Sequence, residues 1–257
     1  MMPTLFDLTG RTAVVVGGTS GIGRALALGL ADAGADVVAT GRRSAGVEDV
    51  AAAIEQRGRK TLRAPTDVGD SASLRALRDA CLGAFGRVDI VVAAAGITKR
   101  VATVDMAEDD WNQILDTNVT GMFRTYQAFA PSMIARGAGR LIGVASLASF
   151  VGLQEVAAYT ASKAAVAGLT RALSVEWARY GVTVNAIAPG VFETDMNREI
   201  LKGARGQEFK MRTPMGRFGR VEELVGAAVY LASGAASFVT GQLIAVDGGF
   251  LASGVNQ

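Results

Sequence analysis

The sequence predicts a single α/β domain whose parallel sheet is covered by helices on both faces. Three observations predict it. Short β-branched and apolar runs recur along the chain, separated by Ala- and Leu-rich stretches of helical character. A glycine-rich turn joins the first such run to the first helical pattern. The 257 residues, 50% hydrophobic, suffice for one large core.

The elements follow in order. Residues 12–16 are apolar and β-branched and end in glycines, so they read as a buried first strand. A helix pattern runs over 23–33, and 36–40 form a second strand. Further β-like runs lie at 61–64, 88–94, 141–145, 182–187 and 243–246. Long helices are expected over 106–135 and 157–180, whose Ala, Leu, Val and Phe content fits buried faces. The segment 202–206, between helical patterns, reads as a mobile loop. No linker, repeat or low-complexity tract divides the chain.

Composition narrows the function. Lys and Arg number 26 against 24 Asp and Glu, a formal charge of +2, which gives no electrostatic case for nucleic acid or an anionic membrane. No apolar run reaches membrane-spanning length, and the N-terminus lacks the basic and apolar regions of a secretory signal. The single cysteine, Cys81, excludes an intrachain disulfide. A cytoplasmic setting is expected. Histidine is absent, which removes histidine bases and triads and, with one cysteine, argues against a metal. Acid–base chemistry is left to Tyr, Lys, Asp, Glu or Ser.

Tyr159 and Lys163 are four residues apart, one helical turn, so phenol and ammonium share a helix face. A phenol titrates near pH ~10 and is a poor acid or base at neutrality, whereas a close cation favours the phenolate and lowers that value. Ser146 stands upstream at a strand end. Taken alone, the pair also fits a surface Tyr/Lys contact. The turn Gly17-Gly18-Thr19-Ser20-Gly21-Ile22-Gly23 has the spacing Gly-x-x-x-Gly-x-Gly between first strand and first helix. There the backbone can approach a pyrophosphate and the helix N-terminus can face it. The second strand ends in Arg42 and Arg43 without a carboxylate, which favours the 2′-phosphate of NADP(H) and leaves NAD(H) open. The alternative is that these arginines are solvated loop charges.

With Asp67-Val68, Asn118, and Pro189-Gly190 in the segment 185–190, these motifs fall in one order and spacing, and over its full length the chain resembles the short-chain dehydrogenase/reductase family. Two departures stand out: Val16 replaces a common Thr, and Ala93-Ala94-Ala95-Gly96 replaces Asn-Asn-Ala-Gly. The resemblance implies a Rossmann-like three-layer α/β/α sandwich with about seven parallel strands. It implies Tyr159 as proton donor and acceptor, and Lys163 on the nicotinamide ribose and lowering the phenol pKa. Ser146 would bind the substrate oxygen, and Asn118 would hold a water that links Lys163 to solvent. Asp67 would contact the adenine and Thr194 the carboxamide, with Val68, Ala94, Gly96, Pro189 and Gly190 lining the same site. It also implies a homotetramer formed through the two long helices and the C-terminal strand.

Substrate-facing candidates lie in the loops 97–100, 150–155 and 191–198, among them Lys99, Arg100 and Gln154. Lys99 and Arg100 suit a substrate carboxylate, and the chain is similar here to family members that oxidise sugar acids. The alternative is that both point to solvent. A second reading is a 3-oxoacyl-[acyl-carrier-protein] reductase, which often has a basic residue where Tyr180 stands beside Arg179. A third is a cofactor-binding scaffold without turnover.

Overall fold

The computed structural model describes residues 5–194 and 197–254. Strand β1 (Thr12–Val16) is buried throughout, as its β-branched sequence suits. Helix α1 (Gly21–Asp32) returns the chain to β2 (Asp36–Thr40), which pairs with β1. Helices α2 (Ser44–Glu55) and α3 (Ser71–Phe85) lead to β3 (Ile90–Ala93) on the other side of β1. The long helix expected next is broken once. Helix α4 (Glu108–Leu115) passes through a π turn, Asp116–Thr120, into α5 (Gly121–Arg136). Strand β4 (Gly139–Val144), helix α6 (Ala157–Trp177) and strand β5 (Val182–Pro189) follow. Short helices α7 (Arg198–Lys202), α8 (Ala204–Arg212) and α9 (Val225–Ala232) precede β6 (Leu243–Val246).

All pairs are parallel, in the order β2-β1-β3-β4-β5-β6. Successive strand residues face opposite layers. Val14, Val16 and Val91 join a core with Leu74 of α3, Phe129 of α5 and Val166 of α6. Val15, Ile90 and Val92 join a second core with Leu26 of α1, Ile54 of α2 and Leu231 of α9. The sandwich is therefore three-layered. Among the described residues, no helix is long and apolar enough to cross a membrane.

Two expectations are corrected. Among the described residues the sheet has six strands rather than about seven, because 61–64 form no ladder. That segment lies along the outer edge of β2, tied by Val37 N–H to Lys60 O (3.0 Å), Thr66 N–H to Gly41 O (3.0 Å) and the Thr40 hydroxyl to Ala64 O. Side chains replace part of the regular pairing: the Asp36 carboxylate accepts from Lys60 N–H at 2.8 Å. The segment 202–206 is mostly helical, and only Gly203 interrupts it. Gly206 lets α8 pack on α7, since a Cβ there would lie 1.9 Å from Leu201 O.

The sheet order changes direction beside β1, so the exits of β1 and β3 diverge and open a crevice at the carboxyl edge. The two exits nevertheless touch. Gly17 has φ +83°, and a Cβ there would fall 2.4 Å from Ala95 N. The atoms it would meet, Ala95 N and Cα and Ala94 C, are all backbone and cannot give way. Gly17→Ala is expected to cost at least about 2 kcal/mol, from the left-handed conformation and the overlap together. A urea midpoint equal to the parent's would show that the strand exits are not in contact.

Candidate active site

The crevice holds a cleft of about 610 Å³ lined from the exits of β1, β3, β4 and β5, a size suited to a bound small molecule. Its first wall is the β1–α1 turn, where Gly17, Thr19, Ser20, Gly21, Ile22 and Gly23 all line the cleft. The Ser20 side chain makes no capping bond to α1, and no acidic residue stands in the first turn. The N–H groups and positive dipole end of α1 are thus left for an external anion. A Cβ on Gly23 would sit 2.1 Å from Gly17 O, so the turn closes only with glycine. This bare backbone cradle fits a pyrophosphate.

Arg42 and Arg43 line the cleft at the end of β2. Both are exposed, and neither forms an ion pair among the described residues. Asp36, the acidic residue of β2, stands at the strand's far end and is engaged by Lys60 N–H. Thr66, Asp67, Val68, Ala94, Ala95 and Gly96 form the adjoining wall. The end of β2 therefore offers guanidinium rather than carboxylate, with Asp67 on the adjoining wall, and this fits NADP(H). On the opposite wall, β5 ends in Pro189 and Gly190, where a Cβ on Gly190 would meet Asp247 Cα at 2.6 Å. Thr194 is fixed there by Asn197, whose Oδ1 accepts from Thr194 N–H at 2.9 Å.

The floor carries the reactive groups. Helix α6 places Tyr159 and Lys163 one turn apart, both lining the cleft. Ser146 leaves β4 and caps a short 3₁₀ turn, its Oγ accepting from Ala148 N–H at 3.2 Å. The same hydroxyl hydrogen-bonds the Tyr159 phenol. Lys163 donates to Val144 O at 2.7 Å and lies 5.6 Å from the Tyr159 ring centroid. Asn118, in the π turn, is buried just behind the cleft. Its Oδ1 accepts from Ile97 N–H (2.8 Å), and its Nδ2 donates to Ile97 O (2.9 Å) and Ser162 Oγ (2.9 Å). Ser162 donates in turn to Tyr159 O at 2.7 Å.

Burial dominates the electrostatics of this pair. It pushes the Tyr159 phenol above its ordinary value, and the Ser146 hydrogen bond only partly opposes that. It pushes the Lys163 ammonium down to about 8. The lowered phenol pKa expected from the neighbouring cation is therefore not a property of the protein alone.

Three substrate candidates lie outside the cleft wall. Lys99 pairs with Asp110 at 2.5 Å and Arg100 with Glu155 at 2.5 Å. Gln154 presents its carbonyl to Arg205 at 2.9 Å. Residues 195 and 196, within the third candidate loop, lie outside the described residues. The sequence reading missed Thr66 and Thr117, which line the cleft; Ile97, Phe192 and Asn197 also line it and belong to the candidate loops 97–100 and 191–198. Asn197 had a visible signal, an N-cap-type residue just before α7 and three positions after Thr194.

The Lys163 shift has a consequence for stability. Its folded value, about 8, lies below the unfolded value of about 10.4, so between the two the unfolded chain holds more protons and stability rises with pH. Lys163→Met removes that titration. Relative to the parent, the variant should lose about 2–3 kcal/mol of advantage between about pH 7 and pH 10. Urea denaturation across that range checks it, and a gap independent of pH would rule out a desolvated ammonium.

Known proteins resemble the chain over nearly its whole length. The family model described as enoyl-(acyl carrier protein) reductase matches residues 16–251. Gluconate 5-dehydrogenase of Gluconobacter oxydans is 40% identical over 98% of both chains. The 2-dehydro-3-deoxy-D-gluconate 5-dehydrogenase of Dickeya dadantii is 39% identical over 98% of this chain and 100% of its own. The crystal structure of gluconate 5-dehydrogenase from Burkholderia cenocepacia in complex with NADP and tartrate superposes with a TM-score of 0.93. It is 40% identical and covers 97% of this chain and 98% of that one. On its motifs, fold and relatives, the chain belongs to the short-chain dehydrogenase/reductase family of NAD(P)-dependent oxidoreductases.

Proposed function

We propose that the protein interconverts a secondary alcohol of a sugar acid with the corresponding ketone, using NADP(H). The observation that carries this reading is one cleft with Ser146, Tyr159 and Lys163 on its floor and, where β2 ends, Arg42 and Arg43 in place of a strand-end carboxylate. The substrate class is supported by relatives that carry the names of gluconate dehydrogenases.

When bound, the nicotinamide supplies hydride to the substrate carbon or takes it away. The Tyr159 phenol gives a proton to the carbonyl oxygen in reduction and takes it from the alcohol in oxidation. Ser146 Oγ hydrogen-bonds that oxygen as negative charge builds on it. The Lys163 ammonium would hold the ribose hydroxyls of the bound cofactor, and it favours the phenolate against burial. Asn118 fixes the Ile97 backbone beside the catalytic helix and, with a water, connects Lys163 to solvent. Asp67 would hold the adenine and Thr194 the carboxamide of the bound cofactor. Exposed Phe123 of α5 and Val175 of α6 support assembly into a homotetramer, which light scattering in solution tests.

The carrier-protein reading is less favoured. Arg179 donates to the Tyr180 hydroxyl at 2.6 Å and stacks on its ring at 4.7 Å, so this basic group is already engaged.

The test follows reduced-nicotinamide absorbance with NADP⁺ or NAD⁺ and D-gluconate, and with NADPH and an acetoacetyl thioester in reverse. Turnover on the thioester alone would overturn the sugar-acid reading. Tyr159→Phe should lower kcat by about 10²–10⁴-fold while NADPH fluorescence still reports binding. Near-parental turnover would remove the phenol from the chemistry. Arg42→Ala should raise the NADP⁺ KM by about 10- to 100-fold, as expected for a lost hydrogen bond to a charged group, with the NAD⁺ KM unchanged. An equal effect on both cofactors would mean that Arg42 does not read the 2′-phosphate.

A further inference from the structure

Glu155 is the one non-glycine residue with positive φ among the described residues, at +65°. Such a backbone persists for a glutamate only where its surroundings fix it. Its carbonyl accepts from Val101 N–H at 2.9 Å, which ties the loop before α6 to the loop after β3. Its carboxylate meets two arginines. Arg100 contacts Glu155 Oε2 at 2.5 Å, and Arg205 Nη1 lies 4.0 Å from the same oxygen. Arg205 comes from α8, where it donates to Gln154 O at 2.9 Å and stands 5.6 Å from the centre of the Phe209 ring. Its side chain is only 18% exposed.

Two guanidinium groups therefore face one carboxylate at a half-buried place, four residues ahead of Tyr159 in the chain. The remaining charges nearby do not restore balance. Glu208 of α8 is held by Arg212 at 3.2 Å, and Lys99 with Asp110 is a closed pair. Burial, with the charge of Arg100, holds the Arg205 guanidinium below its usual pKa, and Glu155 and Glu208 only partly oppose it.

We propose that Arg205 is a specificity-determining residue: with Arg100 it forms a two-guanidinium seat in which Glu155 is the resident anion, and the unmatched positive charge takes the carboxylate of an acid substrate. The seat lies beside the cleft rather than in its wall, and Arg205 ties α8 to the loop that enters α6. The inference rests on the sugar-acid reading for its substrate, but the seat is a claim about carboxylates in general.

Steady-state kinetics on the full-length enzyme tests it, with D-gluconate, a neutral polyol and tartrate as inhibitor. Arg205→Gln should raise the D-gluconate KM about tenfold, the loss of one charge-assisted bond, with kcat and the polyol constants within about twofold. Arg205→Lys should recover part of that loss. Glu155→Gln, which removes the resident anion, should lower the D-gluconate KM several-fold. An equal effect of Arg205→Gln on acid and polyol, no effect on either, or weaker acid binding in Glu155→Gln would overturn the seat. If the enzyme turns over only neutral alcohols or the thioester, the sugar-acid reading fails while the seat is still decided. Tartrate inhibition against that substrate should weaken about tenfold in Arg205→Gln, and an unchanged inhibition constant would refute it.

Discussion

The site depends on one buried amide. Asn118 uses both ends of its side chain on the backbone of Ile97 and reaches Ser162, which holds the Tyr159 carbonyl. These bonds join the exit of β3, the π turn and the first turn of α6. Without them the bond from Val101 N–H to Glu155 O would be left to tie the chain after β3 to the chain before α6. The π turn is what aims Asn118 inward, since one extra residue in the helix rotates the following side chains relative to an unbroken 106–135 helix. Buried amides fully used in this way fix geometry because any shift leaves a donor or acceptor unpaired.

The reactive pair shows how burial and charge oppose each other. A phenol and an ammonium in contact with water would titrate near their ordinary values and gain little from proximity. Inside the cleft both are driven toward neutrality, Tyr159 up and Lys163 down. The hydrogen bonds from Lys163 to Val144 O and between Ser146 and Tyr159 give the charged forms only partial support. The pair is thus poised to respond to whatever charge and hydrogen bonds a bound molecule brings, which water would otherwise screen.

Much of this was legible in the chain, for identifiable reasons. Residues 12–16 and 182–187 read as strands because a parallel sheet buried on both faces demands continuous β-branched runs. The glycine turn and the Tyr159/Lys163 spacing are local, so sequence distance reports spatial distance. The run 61–64 has the right residues for a strand, but whether a ladder closes depends on Asp36 and Thr40, which belong to another element. Lys99 and Arg100 looked free because their partners Asp110 and Glu155 are 11 and 55 positions away. The direction of the Tyr159 shift was invisible for the same kind of reason. A neighbouring cation can be read from spacing, whereas desolvation is produced by the whole fold.

The strip of chain beside β2 matters for colloidal behaviour as well as for shape. A sheet margin with unpaired N–H and C=O groups is a template on which a second molecule can extend the sheet. Here Val37 N–H and Gly41 O are already taken by an irregular segment. That segment's own outer side carries Arg63, doubly paired with Glu48 and Glu55, instead of a flat apolar row. The margin is closed by a piece of backbone too uneven to be copied, so intermolecular strand addition is blocked on this side by the protein's own chain.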